Sequence, residues 1–98
     1  MEFSQISSWE LEEYLNCNDC LIIDLRDETS YNEGHVPGAI NIPYEDLEKG
    51  IMGIDNKKEL IMYCDRGGRS FAAAKEFGHI YNIKIVTGGI HSYRGKIE

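Results

Sequence analysis

The chain has 98 residues, 42% of them apolar and 28% charged, an ordinary composition for one globular domain over residues 1–98. Its 17 acidic residues outnumber the 10 basic ones and give a net charge of −7, which argues against nucleic acid or an anionic membrane as a partner. No stretch approaches the ~20 apolar residues of a membrane span, and the N-terminus lacks the apolar core of a signal peptide.

The N-terminal quarter of the chain predicts a capped helix through "WELEEYL". Ser7 or Ser8 supplies the cap, because a glutamate three residues after Ser7 completes the pattern of a capping box. Trp9, Leu11 and Leu15 would form the side of this helix that faces the core.

The next elements are short and alternate between strand and helix. The continuous apolar run "CLIIDL" at 20–25 predicts a strand buried on both faces. The segment "ETSYNEG" follows as a short helix closed by Gly34. A Pro-Gly turn then leads into a short strand at 39–42, and "YEDLEKG" forms one or two helical turns.

The second half repeats this alternation. The segment "ELIMYC" at 59–64 predicts a strand, and "RSFAAAKEFGHIY" predicts a helix in which Gly78 is a weak point. The apolar side of that helix follows helical spacing, at Phe71, Ala74, Phe77 and Tyr81. The segment "IKIVT" is a third strand, and "GGIHSYRGK" a last short helix or loop. This order predicts an α/β fold with a mostly parallel sheet between helices.

Three polar side chains fall where predicted strands end, namely Asp24, Cys64 and Thr87. In parallel α/β sheets, binding sites gather at the carboxyl ends of the strands. We therefore expect the functional site at this edge of the sheet.

The segment "CDRGGRS" at 64–70 combines a cysteine with glycines and arginines. Gly67 and Gly68 allow a sharp turn, whose N–H groups and following helix N-terminus would surround the Cys64 sulfur. Such surroundings, with Arg66 and Arg69 nearby, favour the thiolate and make a nucleophile more plausible than a packing thiol. A cation at Arg69 opposes the helix dipole, so we expect a compensating anion there.

This loop resembles the active-site loop of the rhodanese family, whose single-domain members typically carry Cys-x-x-Gly-x-Arg-Ser/Ala. A second stretch, "DLRDETSYNEGHVPGAINIP", resembles the family's Asp-x-Arg and Gly-His-Ile/Val-Pro-Gly-Ala-x-Asn-Ile-Pro segment, and "TGGIHSY" its late Gly-Gly turn. The matching positions are Cys64, Gly67, Arg69 and Ser70 in the loop, and Asp24, Arg26, Tyr31, Gly34, His35, Pro37, Gly38, Ala39, Asn41 and Pro43 in the second stretch.

The resemblance implies a three-layer α/β/α fold whose five-stranded, mostly parallel sheet has "FSQI" as an edge strand. It also implies a sulfurtransferase without cofactor or metal. Cys64 would take sulfur from a small anionic donor such as thiosulfate and pass it from a persulfide to cyanide, a thiol or a protein acceptor. The binding loop would comprise Asp65, Arg66, Gly67, Gly68, Arg69 and Ser70. Arg69 would hold the loop or the donor, and Arg66 could steer thiosulfate.

Two alternative functions remain open on the sequence. Cysteine phosphatases and arsenate reductases use Cys-x5-Arg, whereas this chain has Cys64-x4-Arg69, a tighter loop suited to a single sulfur atom. A non-catalytic rhodanese-like binding module is the other alternative, although such modules usually lack the cysteine. We expect Asp24, Arg26 and His35 to be structural rather than catalytic.

The two other cysteines form a C-x2-C pair, Cys17 and Cys20. No second pair or paired histidines completes a metal site, so we expect Cys20 in the core and Cys17 in a loop, with a disulfide or resolving role as the lesser alternative. Because three cysteines cannot form a complete disulfide framework, we expect a cytoplasmic protein with reduced thiols.

Overall fold

A computed structural model describes residues 3–98, which form a five-stranded parallel sheet with helices on both faces. The strands are β1 (Phe3–Ile6), β2 (Cys20–Asp24), β3 (Ile40–Asn41), β4 (Glu59–Tyr63) and β5 (Asn82–Val86). The α-helices are α1 (Glu28–Glu33), α2 (Leu47–Gly50) and α3 (Gly68–Phe77), and 3-10 turns cover Glu10–Tyr14, Tyr44–Asp46, Ile51–Gly53 and Gly89–Ser92. The predicted α/β class is confirmed. Met1 and Glu2 lie outside the described residues. They are part of the predicted domain and of the N-terminal stretch in which no signal peptide was predicted.

The strand order places β4 in the middle of the sheet. The order is β1-β5-β4-β2-β3, and every neighbouring pair is parallel. The carboxyl end of β4 is therefore flanked by those of β2 and β5, and Cys64 follows directly at the centre of this edge. The segment "FSQI" is an edge strand, as expected.

Alternating side chains of β4 enter two separate cores, which explains its continuous apolar sequence. Leu60 and Met62 pack with residues of α2 and α3, whereas Ile61 and Tyr63 pack on the opposite face with the Glu10–Tyr14 turn. All four side chains are fully buried. Cys64 continues the first of these faces and so points toward α3.

The N-terminal helix differs from the prediction because it is a 3-10 turn of five residues, Glu10–Tyr14. Its start is as expected: the Glu10 N–H donates to Ser7 Oγ, and the Ser7 N–H donates to Glu10 Oε1, both at 3.3 Å. Leu11 and Leu15 nevertheless pack in the same core cluster, as predicted. Leu11 is buried, while Trp9 is 76% exposed.

Helix α3 ends earlier than predicted, at Phe77, because Gly78 caps it. The Gly78 N–H donates to the Ala74 carbonyl at 2.8 Å. The buried residues of the helix include Ala73 and Ala74, whose small side chains let the helix lie close to the sheet, while Phe71 remains 40% exposed at its edge. In residues 3–98 no helix has the length and apolarity needed to cross a membrane.

Candidate active site

The loop between β4 and α3 wraps around the sulfur of Cys64. The Gly67 N–H donates to Cys64 Sγ at 3.1 Å, and Gly67 has a φ of +106°, which only glycine adopts without strain. Gly68, expected to share this role, has no positive φ and is instead the first residue of α3. Cys64, which is 3% exposed, thus places its sulfur at the N-terminus of a ten-residue helix.

Ser70 holds this loop from inside the first turn of α3. Its fully buried hydroxyl donates to the Gly67 carbonyl at 3.0 Å and lies 3.7 Å from Cys64 Sγ. This hydrogen bond fixes the peptide group between Gly67 and Gly68, which is next to the Gly67 N–H that donates to the sulfur. Ser70 therefore positions Gly67 as much as it contacts the cysteine.

The turn at Gly88 and Gly89 supports the loop from behind. The N–H groups of Ile90 and His91 donate to the carbonyls of Cys64 and Asp65, at 2.9 and 3.0 Å. Gly89 has a φ of +61°, and a Cβ there would collide with these two carbonyls. The Gly-Gly turn is evident in the sequence, but its contact with the loop was not predicted.

A pocket of about 480 Å³ opens above the cysteine. It is lined by Arg26, Asp27, Cys64, Asp65, Arg66, Gly68 and Arg69. Three arginines and two aspartates leave this lining positive by one charge, in a chain whose net charge is −7. These arginines concentrate positive charge locally on an acidic protein, and two of them, Arg26 and Arg69, also pair with carboxylates outside the lining.

Two carboxylates that were not predicted as site residues influence the pocket. Arg69 Nη2 lies 3.6 Å from Glu45 Oε1, an ion pair within the chain that the sequence did not predict. Asp27 caps α1, and hydrogen bonding from Ser30 lowers its pKa, with Arg26 and Arg69 adding to the effect. Both partners in the Arg69–Glu45 pair are more than half exposed, so the pair is weak and can open.

Asp24 and Arg26 form a buried ion pair beside the pocket. Arg26 donates to the Asp24 carboxylate through Nε at 3.1 Å and Nη2 at 2.7 Å, and also to the Gly34 carbonyl. The Tyr63 hydroxyl donates to Asp24 Oδ2 at 2.7 Å and accepts from the Val36 N–H at 3.1 Å. Burial, reinforced by the Asp24 carboxylate, raises the pKa of Tyr63. This network joins the strand that precedes Cys64 to the segment around Val36.

His35 lies between Gly34 and Val36, two residues whose backbones bond to that network. Its ring stacks on Tyr31 at 3.8 Å between centroids, and its Nδ1 lies 2.9 Å from the Tyr31 carbonyl. Its backbone exchanges two hydrogen bonds with Glu98. Among the residues that the structure describes, His35 does not line the pocket.

Cys17 and Cys20 are joined in a disulfide, contrary to the expectation of reduced thiols. The Cys20 N–H donates to the Cys17 carbonyl, and this turn brings the two Cα atoms to 5.3 Å, a spacing ordinary for a disulfide. Cys64 is the free cysteine.

The fold and the cysteine loop together define a class of protein. Residues 7–96 match the rhodanese-like domain family, and the chain belongs to that family. It is 28% identical to thiosulfate sulfurtransferase GlpE of Coxiella burnetii, over 96% of this chain and 90% of that protein. It is 29% identical to the putative sulfurtransferase YtwF of Bacillus subtilis, over 100% and 97% of the two chains. A rhodanese-related protein from Thermoplasma volcanium has a similar structure, with a TM-score of 0.88, 25% identity and 97% coverage of both chains.

Proposed function

We propose that this chain is a sulfurtransferase that carries sulfane sulfur as a persulfide on Cys64. The observation that carries the proposal is the position of the Cys64 sulfur: it lies at the base of an arginine-lined pocket and accepts a hydrogen bond from the Gly67 N–H. Sulfurtransferase is also the activity in the names of the two relatives described above. The proposed unit is one domain, residues 1–98.

In the first step, the Cys64 thiolate attacks the outer sulfur of a donor such as thiosulfate. The new S–S bond forms as the S–S bond of thiosulfate breaks, and sulfite leaves with the electron pair. The positive lining of the pocket holds the dianionic donor, with Arg66 and Arg69 at the exposed rim. Binding of the donor competes with Glu45 for the Arg69 guanidinium.

In the second step, a thiophilic acceptor attacks the outer sulfur of the persulfide. Cyanide leaves as thiocyanate, while a thiol leaves as a new persulfide, and Cys64 returns to the thiolate in both cases. The Gly67 N–H, at the N-terminus of α3, stabilises the negative charge on the sulfur. The proposed acceptors are small thiols or a protein thiol, and the proposed location is the cytoplasm, where the thiol pool keeps Cys64 reduced.

The experiment is the intact mass of the reduced protein after incubation with thiosulfate. We expect a gain of one sulfur that cyanide removes. Cys64→Ser should gain none, whereas Cys17→Ser is the matched control and should gain as much as the wild type. Equal uptake by Cys64→Ser would contradict the proposal, and so would a wild type that takes no sulfur from thiosulfate or from an organic persulfide donor.

A further inference from the structure

The disulfide between Cys17 and Cys20 lies at the amino ends of the strands, whereas Cys64 lies at their carboxyl ends. Cys20 is the first residue of β2 and pairs with Glu59, the first residue of β4. Cys64 lies five residues beyond Glu59, so the two sulfur sites are roughly 16 Å apart along the strand direction. The pair therefore cannot resolve a persulfide on Cys64 of the same chain.

The turn that carries the disulfide is fixed by hydrogen bonds that do not involve the sulfur atoms. The Cys17 N–H donates to the Tyr14 carbonyl, and the Cys20 N–H to the Cys17 carbonyl. The Asp19 carbonyl accepts from the Glu59 N–H at 2.9 Å, which anchors the turn to β4. Because these bonds do not involve the sulfur atoms, we expect them to hold the two thiols close together after reduction.

The same turn is open to solvent and lies beside a cation. Asn18 and Asp19 between the cysteines are exposed, and both cysteines are partly exposed. Lys58 Nζ donates to the Asn18 carbonyl at 3.3 Å, which places a positive charge beside the turn. Exposure and Cys-x-x-Cys spacing favour thiol–disulfide exchange, while Lys58 and the exposed Asp19 carboxylate place opposite charges beside the turn. Within residues 3–98 no cluster of three or more histidine, cysteine or carboxylate groups is placed to hold a metal ion.

The two cysteines differ in their surroundings. Cys20 packs against the core cluster that contains Ile22 and Ile61, whereas Cys17 lies outside the strand, in the turn. An incoming thiolate therefore reaches the Cys17 sulfur more easily than the Cys20 sulfur.

We propose that Cys17 and Cys20 form a second sulfur site, a reversible dithiol–disulfide pair that exchanges with external monothiols of the glutathione class. A thiolate attacks Cys17 Sγ, the Cys17–Cys20 bond breaks, and Cys20 leaves as the thiolate. A second thiol then attacks the mixed disulfide, which releases the oxidised thiol and leaves Cys17 reduced. In total, two external thiols are oxidised to one disulfide while the protein disulfide is reduced to two thiols. This site operates without Cys64.

The test uses Cys64→Ser, so that the proposed sulfurtransferase activity cannot influence the result. The protein is equilibrated in buffers of reduced and oxidised glutathione, quenched with an alkylating agent and weighed. We expect conversion between a form with two labels and a form with none, with the same midpoint from both directions. Thiols that remain labelled in oxidised glutathione would overturn the proposal. A disulfide that reduced glutathione opens only in denaturant would overturn it as well.

Two further variants test which sulfur is attacked. In the Cys64→Ser background, Cys20→Ser should accumulate one glutathione adduct on Cys17. The matched variant Cys17→Ser should form its adduct on Cys20 roughly tenfold more slowly, because that sulfur packs against the core. Equal rates would overturn the assignment of Cys17 as the attacked residue.

Discussion

The Tyr63 hydroxyl connects two buried groups on the face of β4 opposite Cys64. It donates to the Asp24 carboxylate and accepts from the Val36 N–H, so its removal leaves both with one partner fewer. A buried polar group that loses its partner is destabilised by about 1–3 kcal/mol. Tyr63 thus contributes to the free energy of unfolding through polar contacts as well as through packing.

Tyr63→Phe is expected to lower the free energy of unfolding by about 2 kcal/mol at neutral pH. It should also weaken the alkaline loss of stability. Because the folded-state pKa of Tyr63 is raised, the unfolded chain releases this proton first, so the wild type loses stability as the pH rises above about 10. Urea unfolding between pH 7 and 11 measures both effects. Tyr81→Phe removes a hydroxyl that bonds the Ile51 carbonyl but retains Tyr63, so it should keep the steep alkaline slope.

Gly89 is a second residue whose substitution should act on the cysteine loop. Gly89→Ala combines a positive φ with a collision against the carbonyls of Cys64 and Asp65. Displacing the loop by about 1 Å is expected to slow persulfide formation roughly 100-fold. Rapid-quench mass measurements would follow the rate. Gly53→Ala is the matched control, because a Cβ there meets nothing within 4 Å, and it should leave the rate unchanged.

Local sequence predicted that Cys64 ends a strand and that Gly67 lies in the turn after it, because these residues are only three positions apart. It could not reveal Glu45 or the role of Tyr63. Glu45 reaches Arg69 from another element, and the bond from Tyr63 to Asp24 depends on the register of two strands that are far apart in the chain.

At the level of elements, the start of α3 and the 3-10 turn Tyr44–Asp46 face each other through Arg69 and Glu45. This pair competes with any anion that binds at the rim of the pocket. An exposed ion pair contributes up to about 1 kcal/mol of free energy, which corresponds to a factor of about five in the affinity for a competing anion.

Glu45→Gln is therefore expected to lower the KM for thiosulfate about two- to fivefold. Steady-state transfer from thiosulfate to cyanide measures this effect. Glu48→Gln removes the same charge from a nearby exposed position in α2 and should change the KM much less. A KM that is unchanged or higher in Glu45→Gln would mean that Arg69 does not bind the donor.

The types of most elements could be predicted, but their helical geometry could not. The apolar run of β2 and the strand that leads into Cys64 were identified because burial on both faces leaves a continuous pattern. The Glu10–Tyr14 turn was predicted as an α-helix with Trp9 in the core, because five residues are too few to separate a period of 3.0 from one of 3.6. The disulfide between Cys17 and Cys20 depends on a turn whose geometry the sequence alone did not establish.

For the whole molecule, stability depends on how much each apolar side chain contributes to the two cores. The chain offers a matched pair of methionines, since Met62 in β4 is 0% exposed and Met52 is 77% exposed. Met62→Ala is expected to lower the free energy of unfolding by about 2–5 kcal/mol, and Met52→Ala by less than about 0.5 kcal/mol. Urea unfolding of the two variants checks this. Similar losses would contradict the proposed importance of the β4 cores.

The pairing of β1 with β5 has a consequence for biosynthesis. Phe3 pairs with Ile83 and Ile6 with Val86, so the partners of each contact are eighty residues apart. At roughly 5–20 residues per second, about 4 to 16 s pass between synthesis of the first strand and synthesis of its partner. During that time β1 has no neighbour in the sheet, and contacts of such long range slow folding. The newly made chain therefore closes its sheet only after β5 is synthesised, and Ile90 and His91, which support the cysteine loop, are made later still.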